Sequence, residues 1–512
     1  MRVTDAGRFT FVERDAQHMS DILFTHSYFY KFDPKQWAAQ QPYPPYGTIY
    51  AAACMREAGF GVDLFDTALK DSPAELESML EKGRPRYLVI YDDGFNYLTK
   101  MCLTRMREAA FEMAKMGKKH GCKVIVNSSD STDHFEQYLS EGADFVILGE
   151  GEQTLRELIT SLEAGVQDFL SIAGLTFRSK DTQEIIRTGS RPVLHDLDNL
   201  PDPAWDLIDV DSYRQIWLKG HGYFSLNLAT TRGCPYKCNW CAKPIYGNRY
   251  NSRSPERVAA EIGMLIRTYG VRNFWMADDI FGLKPGWVQR FREVVRAQNM
   301  QFQYKIQSRV DLLLKEDTID ALADSGLRQV WVGAESGSQK ILDAMDKGTT
   351  VAEIADATRL LKKKGIEVCF FLQFGYLGET AEDIDATLRM VKELQPYDIG
   401  ISVSYPLPGT KFYEKVKFML GEKQNWKDSD DLDMMYPSTY SPAYYRRLHR
   451  LVHKQFRLQQ GKMALQALFQ GKKASFRRAF RTIYYVPAAA LDRWRLSRLQ
   501  YKPSSQHANR TQ

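Results

Sequence analysis

The chain has 512 residues, 44% of them hydrophobic and 26% charged, an ordinary globular composition with room for two or three domains. No window approaches the roughly eighteen uninterrupted apolar residues of a membrane span, and the opening MRVTDAGRFTFVERDAQ has neither a basic nor an apolar signal region, so a cytoplasmic protein without a transmembrane helix is expected. The formal charge of +6 is unevenly placed: residues 444–502 carry fifteen Lys and Arg against one acid, Asp492.

From residue 20 to 160, apolar strand-like runs alternate with helical patterns. They are ILFTHSYF, a helix around TIYAAACMREAG, VDLFD, YLVIY, a long helix, KVIVN, a further helix and FVILG. Such alternation predicts a parallel sheet covered on both faces, a Rossmann-like domain over residues 1–190. The stretch RPVLHDLDNLPDPAWD has neither helical nor strand period and is rich in Pro and Asp, so residues 191–224 are assigned as linker.

A second alternating series follows. Its strands are SLNLAT (225–230), NFWMADD (273–279), FQYKIQSRV (302–310), QVWVGAES (329–336), VCFFLQFG (368–375) and IGISVSYP (399–406). Six β/α units predict an incomplete barrel over residues 225–425, whose working end is the carboxyl end of the strands. The polar or glycine-rich turns TTRGC, ADD, SR, AES, FGYLGET and PLPGT all fall there. Residues 426–512 read as helical and basic, with the last ten, PSSQHANRTQ, disordered.

Seven cysteines form no even disulfide framework, and Cys234, Cys238 and Cys241 crowd into TTRGCPYKCNWCAKP. One metal site in a reducing compartment is the simpler account. The scattered Cys54, Cys102, Cys122 and Cys369 sit in apolar contexts and read as small buried residues. Structural zinc wants four ligands and a second paired element; no CxxC or HxxxH follows, and His221 precedes the first barrel strand. What remains is an iron–sulfur cluster, in which three thiolates on a [4Fe–4S] cube leave one iron for a non-protein ligand.

Cys-x3-Cys-x-aromatic-Cys with Trp240 in the aromatic slot, just after the first strand of a six-unit β/α series, resembles the signature of the radical S-adenosylmethionine (SAM) superfamily. The resemblance implies that the open iron chelates SAM and that an electron from the cluster cleaves it to a 5′-deoxyadenosyl radical. It also implies roles for single residues. Trp240 would lie beside the adenine. Where the family has a Gly-Glu pair this chain has Ala277, Asp278 and Asp279, so Asp278 or Asp279 would meet the SAM ammonium. Glu335 and Ser336 resemble the polar pair near the ribose, Arg309 could reach the carboxylate, and Gly375 and Gly378 resemble the glycine turn near the adenine. Asp279 and Glu335 could instead cap helices.

PPYGTIYAAACMREAGFGVDLFD and ADFVILGEGEQTLREL resemble the cobalamin-binding domain that precedes the barrel in part of this superfamily, and with LPDPAWD the resemblance spans residues 20–425. The pattern resembles that of B12-binding radical SAM enzymes, including methyltransferases and the anaerobic magnesium-protoporphyrin monomethyl ester cyclase group. The chain departs from them in three places. It lacks Asp-x-His-x-x-Gly, it has Ser128 and Ser129 where Gly-Gly is common, and the turn DDGFN is acidic. Two readings of the domain therefore stand, cobalamin binding and a domain that only shapes the substrate cavity. Methylthiotransferases are excluded, because Cys54 and Cys102 fall in predicted helices and no nucleic-acid-binding barrel follows.

In YYRRLHRLVHKQFRLQQGKMALQALF the apolar Leu448, Leu451, Val452 and Phe456 recur at helical spacing among basic residues. Such a helix either lies on an anionic membrane surface or packs its stripe on the barrel. The expectation is thus a radical SAM enzyme carrying a [4Fe–4S] cluster, SAM and cobalamin. It would methylate an unactivated carbon of a lipid- or tetrapyrrole-like metabolite and draw electrons from a reductant such as flavodoxin or ferredoxin, with no nucleic-acid partner. The alternatives are cobalamin-independent cyclisation, oxidation or coupling, and a non-catalytic corrinoid-binding protein. No residue has an assignable role on the substrate.

Overall fold

A computed structural model describes residues 20–101, 103–243, 245–423, 425–471 and 476–500. Cys102 and the terminal segment expected to be disordered lie outside the described residues. The first sheet comprises β1 (Ile22–Thr25), β2 (Val62–Phe65), β3 (Tyr87–Tyr91), β4 (Lys123–Asn127), β5 (Phe145–Ile147), β6 (Leu175–Arg178) and β7 (Ile185–Arg187). Their order is β2-β1-β3-β4-β5-β6-β7. β1 to β5 are parallel, and YLVIY in β3 is wholly buried, because helices cover both faces. β6 and β7 extend the sheet as an antiparallel hairpin. With the parallel order 2-1-3-4-5, the topological switch point lies between β1 and β3, at their carboxyl ends.

The segment assigned as linker contains a helix, Val210–His221. Asp209 caps it by accepting from Ser212 N at 3.2 Å. Val210, Tyr213 and Trp217 recur at i, i+3 and i+7 and are buried. Trp217 donates to the Pro42 carbonyl at 2.7 Å, joining this helix to the first sheet's loops.

The second sheet opens with β8 (Ser225–Leu228), followed by a short antiparallel ribbon, β9 (Thr231–Arg232) with β10 (Asn251–Ser252). It continues with β11 (Asn273–Met276), β12 (Gln303–Ser308), β13 (Leu327–Glu335), β14 (Glu367–Phe374) and β15 (Asp398–Val403). The order is β15-β14-β13-β12-β11-β8, parallel throughout, an open six-stranded half-barrel. Alternation sorts its residues. Leu226, Phe274, Tyr304, Ile306, Val330, Val332 and Phe370 are buried on one face, and Trp275, Lys305, Gln307, Trp331 and Phe371 share the other, only partly buried.

Two long helices, Pro442–Phe469 and Phe476–Gln500, follow as a hairpin. In the first, Leu448, Leu451, Val452 and Phe456 are all buried, and Gln459 and Gln460 donate to the carbonyls of Lys392 and Tyr397 beside the barrel. Of the two readings of that stripe, packing on the barrel is the one this helix adopts. No helix among the described residues is long and apolar enough to cross a membrane.

Candidate active site

The cysteine loop leaves the carboxyl end of β8. Thr230 N, Thr231 N and Thr230 Oγ1 all donate to the Asp278 carboxylate at 2.7 Å. Asp278 is thereby spent on holding β8 to the turn after β11, and burial pushes its pKa up to about 6. The β9–β10 ribbon closes the base of the loop. At Gly233 φ is +78°, and an added Cβ would stand 2.5 Å from the Arg249 carbonyl, so only glycine fits.

Cys234, Cys238 and Cys241 are free and partly exposed. Burial pushes the Cys241 thiol up to about 12, with Asp279 adding to the rise, and Cys234 is raised in the same way. Thiols in that setting ionise only against a bound cation. Arg309 Nη1 is 3.9 Å from Cys238 Sγ. Among the described residues no three His, Cys, Asp or Glu side chains converge on a single-ion site. Three thiols on one loop fit three corners of an iron–sulfur cube, which binds its ligands at separate irons.

Asn239, which sequence reasoning passed over, pins the middle of the loop. Its N–H donates to the Met345 carbonyl at 3.0 Å, its Nδ2 to the Ala344 carbonyl at 2.7 Å, and its Oδ1 accepts from Tyr376 at 2.8 Å. Arg309 braces the other side, donating to Asp311 and to the carbonyls of Lys347 and Gly348, with its guanidinium 3.8 Å from the centre of the Tyr236 ring.

Glu335 ends β13 at φ +56°, beside a register shift between Gly333 and Glu335. A bulky residue in the left-handed region is a strained feature that clusters at functional sites. Glu335 caps no helix; it accepts from Lys347 Nζ at 2.8 Å, and both side chains are buried. Burial alone would lower Lys347, and the Glu335 carboxylate, with Cys238 adding to it, leaves the ammonium raised overall. Lys347 lies 6.0 Å from the Trp240 ring centre, and the buried Trp240 Nε1 has no hydrogen-bond partner among the described residues. An added Cβ on Gly333 would stand 2.5 Å from both Glu335 Oε1 and Lys347 Nζ.

The remaining candidates divide. Asp279 pairs with Lys100 from the first sheet's loops and caps no helix. Ser336 is fully buried, accepts from Ser338 N at 3.1 Å and bonds Thr387 at 3.1 Å, turned into the protein. Gly375 and Gly378 have φ of +81° and +79°. Gly375 N donates to Glu379 at 2.6 Å, and burial pushes that carboxyl up to about 8.

These features surround one place, the carboxyl ends of β8, β11, β12, β13 and β14. Residues 228–391 match the Radical SAM superfamily. The chain carries a radical SAM domain. An uncharacterized methyltransferase of Pyrococcus horikoshii is 26% identical over 451 residues, covering 86% of this chain and 94% of that protein. The anaerobic magnesium-protoporphyrin IX monomethyl ester cyclase of Cereibacter sphaeroides is 28% identical over 386 residues, 73% of this chain and 60% of the cyclase. The structure of the radical SAM methyltransferase TsrM from Kitasatospora setae, with cobalamin and a [4Fe-4S] cluster bound, is similar with a TM-score of 0.64 at 20% identity, over 78% of each chain. That likeness is one of fold. With methyltransferase and cyclase relatives, the radical SAM domain makes the chain an enzyme.

The radical SAM domain is also wired to the first sheet through Arg232, two residues before Cys234. Arg232 is buried and donates to Glu150 and, at 2.7 Å, to Glu152 in the Gly-Glu-Gly-Glu turn after β5. Its guanidinium lies 5.3, 5.8 and 5.4 Å from the centres of the Tyr50, Phe95 and Tyr246 rings. Burial raises the Glu150 carboxyl, with Arg232 opposing.

Proposed function

We propose that this radical SAM enzyme methylates an unactivated carbon of a small hydrophobic metabolite with the help of cobalamin. The observation that carries the radical chemistry is the cysteine loop itself, three free thiols spaced Cys-x3-Cys-x2-Cys at the carboxyl end of β8. A [4Fe–4S] cluster held by these cysteines would leave one iron for SAM and would supply one electron, received from a flavodoxin- or ferredoxin-type reductant, for cleavage of the sulfonium to methionine and a 5′-deoxyadenosyl radical.

The chain's own residues divide the remaining work. Cys234, Cys238 and Cys241 hold the cluster, and Asn239 and Arg309 fix the loop that carries them. Asp279, the carboxylate beside the Cys234 and Cys241 thiols, would exchange its pairing with Lys100 for the SAM ammonium, because buried Asp278 already accepts from two amides and a hydroxyl. Lys347, held by Glu335, offers its charge to the SAM carboxylate, a task Arg309 cannot add to its bonds with Asp311 and two carbonyls. Trp240 gives the adenine a flat face, and Gly375 and Gly378 keep backbone close to it. Ser336 only supports the strand end. An apolar substrate is supported by the inner wall of the half-barrel, where Trp331 and Phe371 stack at 4.7 Å near Trp275.

Cobalamin is supported by the sheet order and the likeness to TsrM. Its nucleotide tail would enter the switch-point crevice, where the buried Tyr28 hydroxyl has no hydrogen-bond partner among the described residues. Asp92 and Asp93 do not oppose it openly: they turn inward to Ser27 and to the amides of Gly47 and Phe95. The cavity there, between Tyr28, Leu103, Arg105 and Asp428, is about 10 Å³, room for one water. A corrinoid tail is therefore admitted only if the 427–428 segment and its neighbours move. That closure favours a second reading, cobalamin-independent cyclisation, oxidation or coupling at the same site.

Anaerobic purification followed by reconstitution with iron and sulfide tests both. Cobalamin that accompanies the protein, with methyl label passing from SAM into product, supports methylation. 5′-Deoxyadenosine formed with dithionite and no cobalamin supports the second reading. A reconstituted protein that takes up no cluster sinks both.

A further inference from the structure

The helix Phe476–Gln500 has two faces. One packs on Pro442–Phe469: Ala479, Ala489 and Leu496 are buried, and Asp492, the one acid of the segment, pairs with Arg447 and Lys454. The other carries Phe476, Phe480, Ile483, Leu491 and Trp494, at i, i+4, i+7, i+15 and i+18, within an arc of about 100° along the helix. These side chains are exposed; Phe476, Phe480 and Ile483 are 77%, 75% and 69% accessible and Trp494 51%. Isolated exposed apolar residues are ordinary, but an aligned apolar stripe about five turns long is not.

The charges beside the stripe are of one sign. Arg477, Arg481 and Arg495 flank it on one side and Arg493 on the other, all exposed, and the only acid is turned away into the hairpin. A second copy of this chain would bring the same cationic border against itself, and like charges repel. An anionic lipid surface complements both parts, apolar stripe into the acyl boundary and arginines at the headgroups.

We propose that the exposed face of Phe476–Gln500 docks in the plane of an anionic membrane surface. Charge patterning in the sequence points to the preceding helix, whose apolar stripe the barrel buries; the exposed apolar face belongs to this one. The surface requires neither cluster nor SAM, so its failure would leave the proposed chemistry untouched.

The test is co-sedimentation of the full chain with vesicles of phosphatidylcholine alone and of equal parts phosphatidylcholine and phosphatidylglycerol, at low salt. The chain should pellet with the anionic vesicles and be released as salt shortens the screening length. The triple variant Phe480→Ser, Ile483→Ser, Trp494→Ser should bind the anionic vesicles at least about tenfold more weakly. Arg477→Gln, Arg481→Gln and Arg495→Gln should each cost about fivefold, and only on anionic vesicles. If circular dichroism shows the triple variant unfolded, the arginine series decides alone. Equal pelleting of the parent with both vesicle types, or parent-like binding by the folded variants, overturns the proposal. So does light scattering that shows a dimer of the parent and a monomer of the triple variant, which would make the face a self-interface.

Discussion

Replacing Arg232 by methionine removes the cation that two buried carboxylates share. Arg232, Glu150 and Glu152 all have about 4% of their side chains accessible, so little water screens what is left. Breaking such a group by deleting one partner costs about 3–5 kcal/mol, and the loss of a guanidinium among Tyr50, Phe95 and Tyr246 adds up to about 2 kcal/mol. The sign of the pH dependence follows from the buried carboxyl. Glu150 already lies above its ordinary value because burial penalises the charged form, and removing Arg232, which opposes that rise, lifts it further. The folded variant then holds protons that the unfolded chain releases, so its stability is present below the folded pKa and falls as pH rises toward neutrality. Urea unfolding of anaerobically prepared protein, followed by tryptophan fluorescence, should give a larger deficit at pH 8 than at pH 5.5. Glu150→Gln and Glu152→Gln together should recover most of it in the Arg232→Met background. A deficit under about 1 kcal/mol, one that does not change with pH, or no recovery in the triple variant would refute the assignment of a buried charge triad.

Three further outcomes are expected. Cys234→Ala should abolish the iron content and visible absorbance of the reconstituted protein while leaving far-ultraviolet circular dichroism unchanged, since the loop is held by Asn239 and the β9–β10 ribbon; a full cluster complement in this variant would contradict the ligand assignment. Lys347→Met strands the buried Glu335 and should cost about 3–5 kcal/mol, and Glu335→Gln added to it should restore stability but not SAM binding, read by equilibrium dialysis. Gly333→Ala pushes a methyl to 2.5 Å from both members of that pair and should cost about 1–3 kcal/mol, with Gly400→Ala, whose nearest contact is 3.2 Å, milder by comparison in the same thermal melt.

The half-barrel was legible because its strands pack one apolar face on helices and leave the other mixed, which writes a period of two into the sequence. The hairpin of β6 and β7 was not, since two short strands with a partly exposed outer member carry little period. Helix Val210–His221 hid behind the proline-rich stretch before it, although Asp209 and the Val210, Tyr213, Trp217 spacing were there to find. In the basic tail, composition located the charge correctly but not the free face. Both helices are amphipathic, and only tertiary contact decides which stripe is covered.

The site shows the same division between local and distant causes. The cysteine spacing and Trp240 are local, and so they could be read. Choosing between Asp278 and Asp279 depended on two threonine amides 47 and 48 residues away, and Lys347 became visible only once a bulge at the end of β13 turned Glu335 toward it. Arg232 is the clearest case. Inside TTRGC it looks like an ordinary polar turn residue, yet its partners stand 80 and 82 residues upstream in a Gly-Glu-Gly-Glu turn that by itself proves little. A buried arginine at the base of the cysteine loop demands carboxylates, and a buried pair of glutamates demands a cation. Each motif was incomplete alone, and the two complete each other across the junction of the sheets. The position of the cysteine loop is therefore fixed in part by the first sheet, so that whether or not that sheet binds a corrinoid, its turn after β5 has a task at the candidate site.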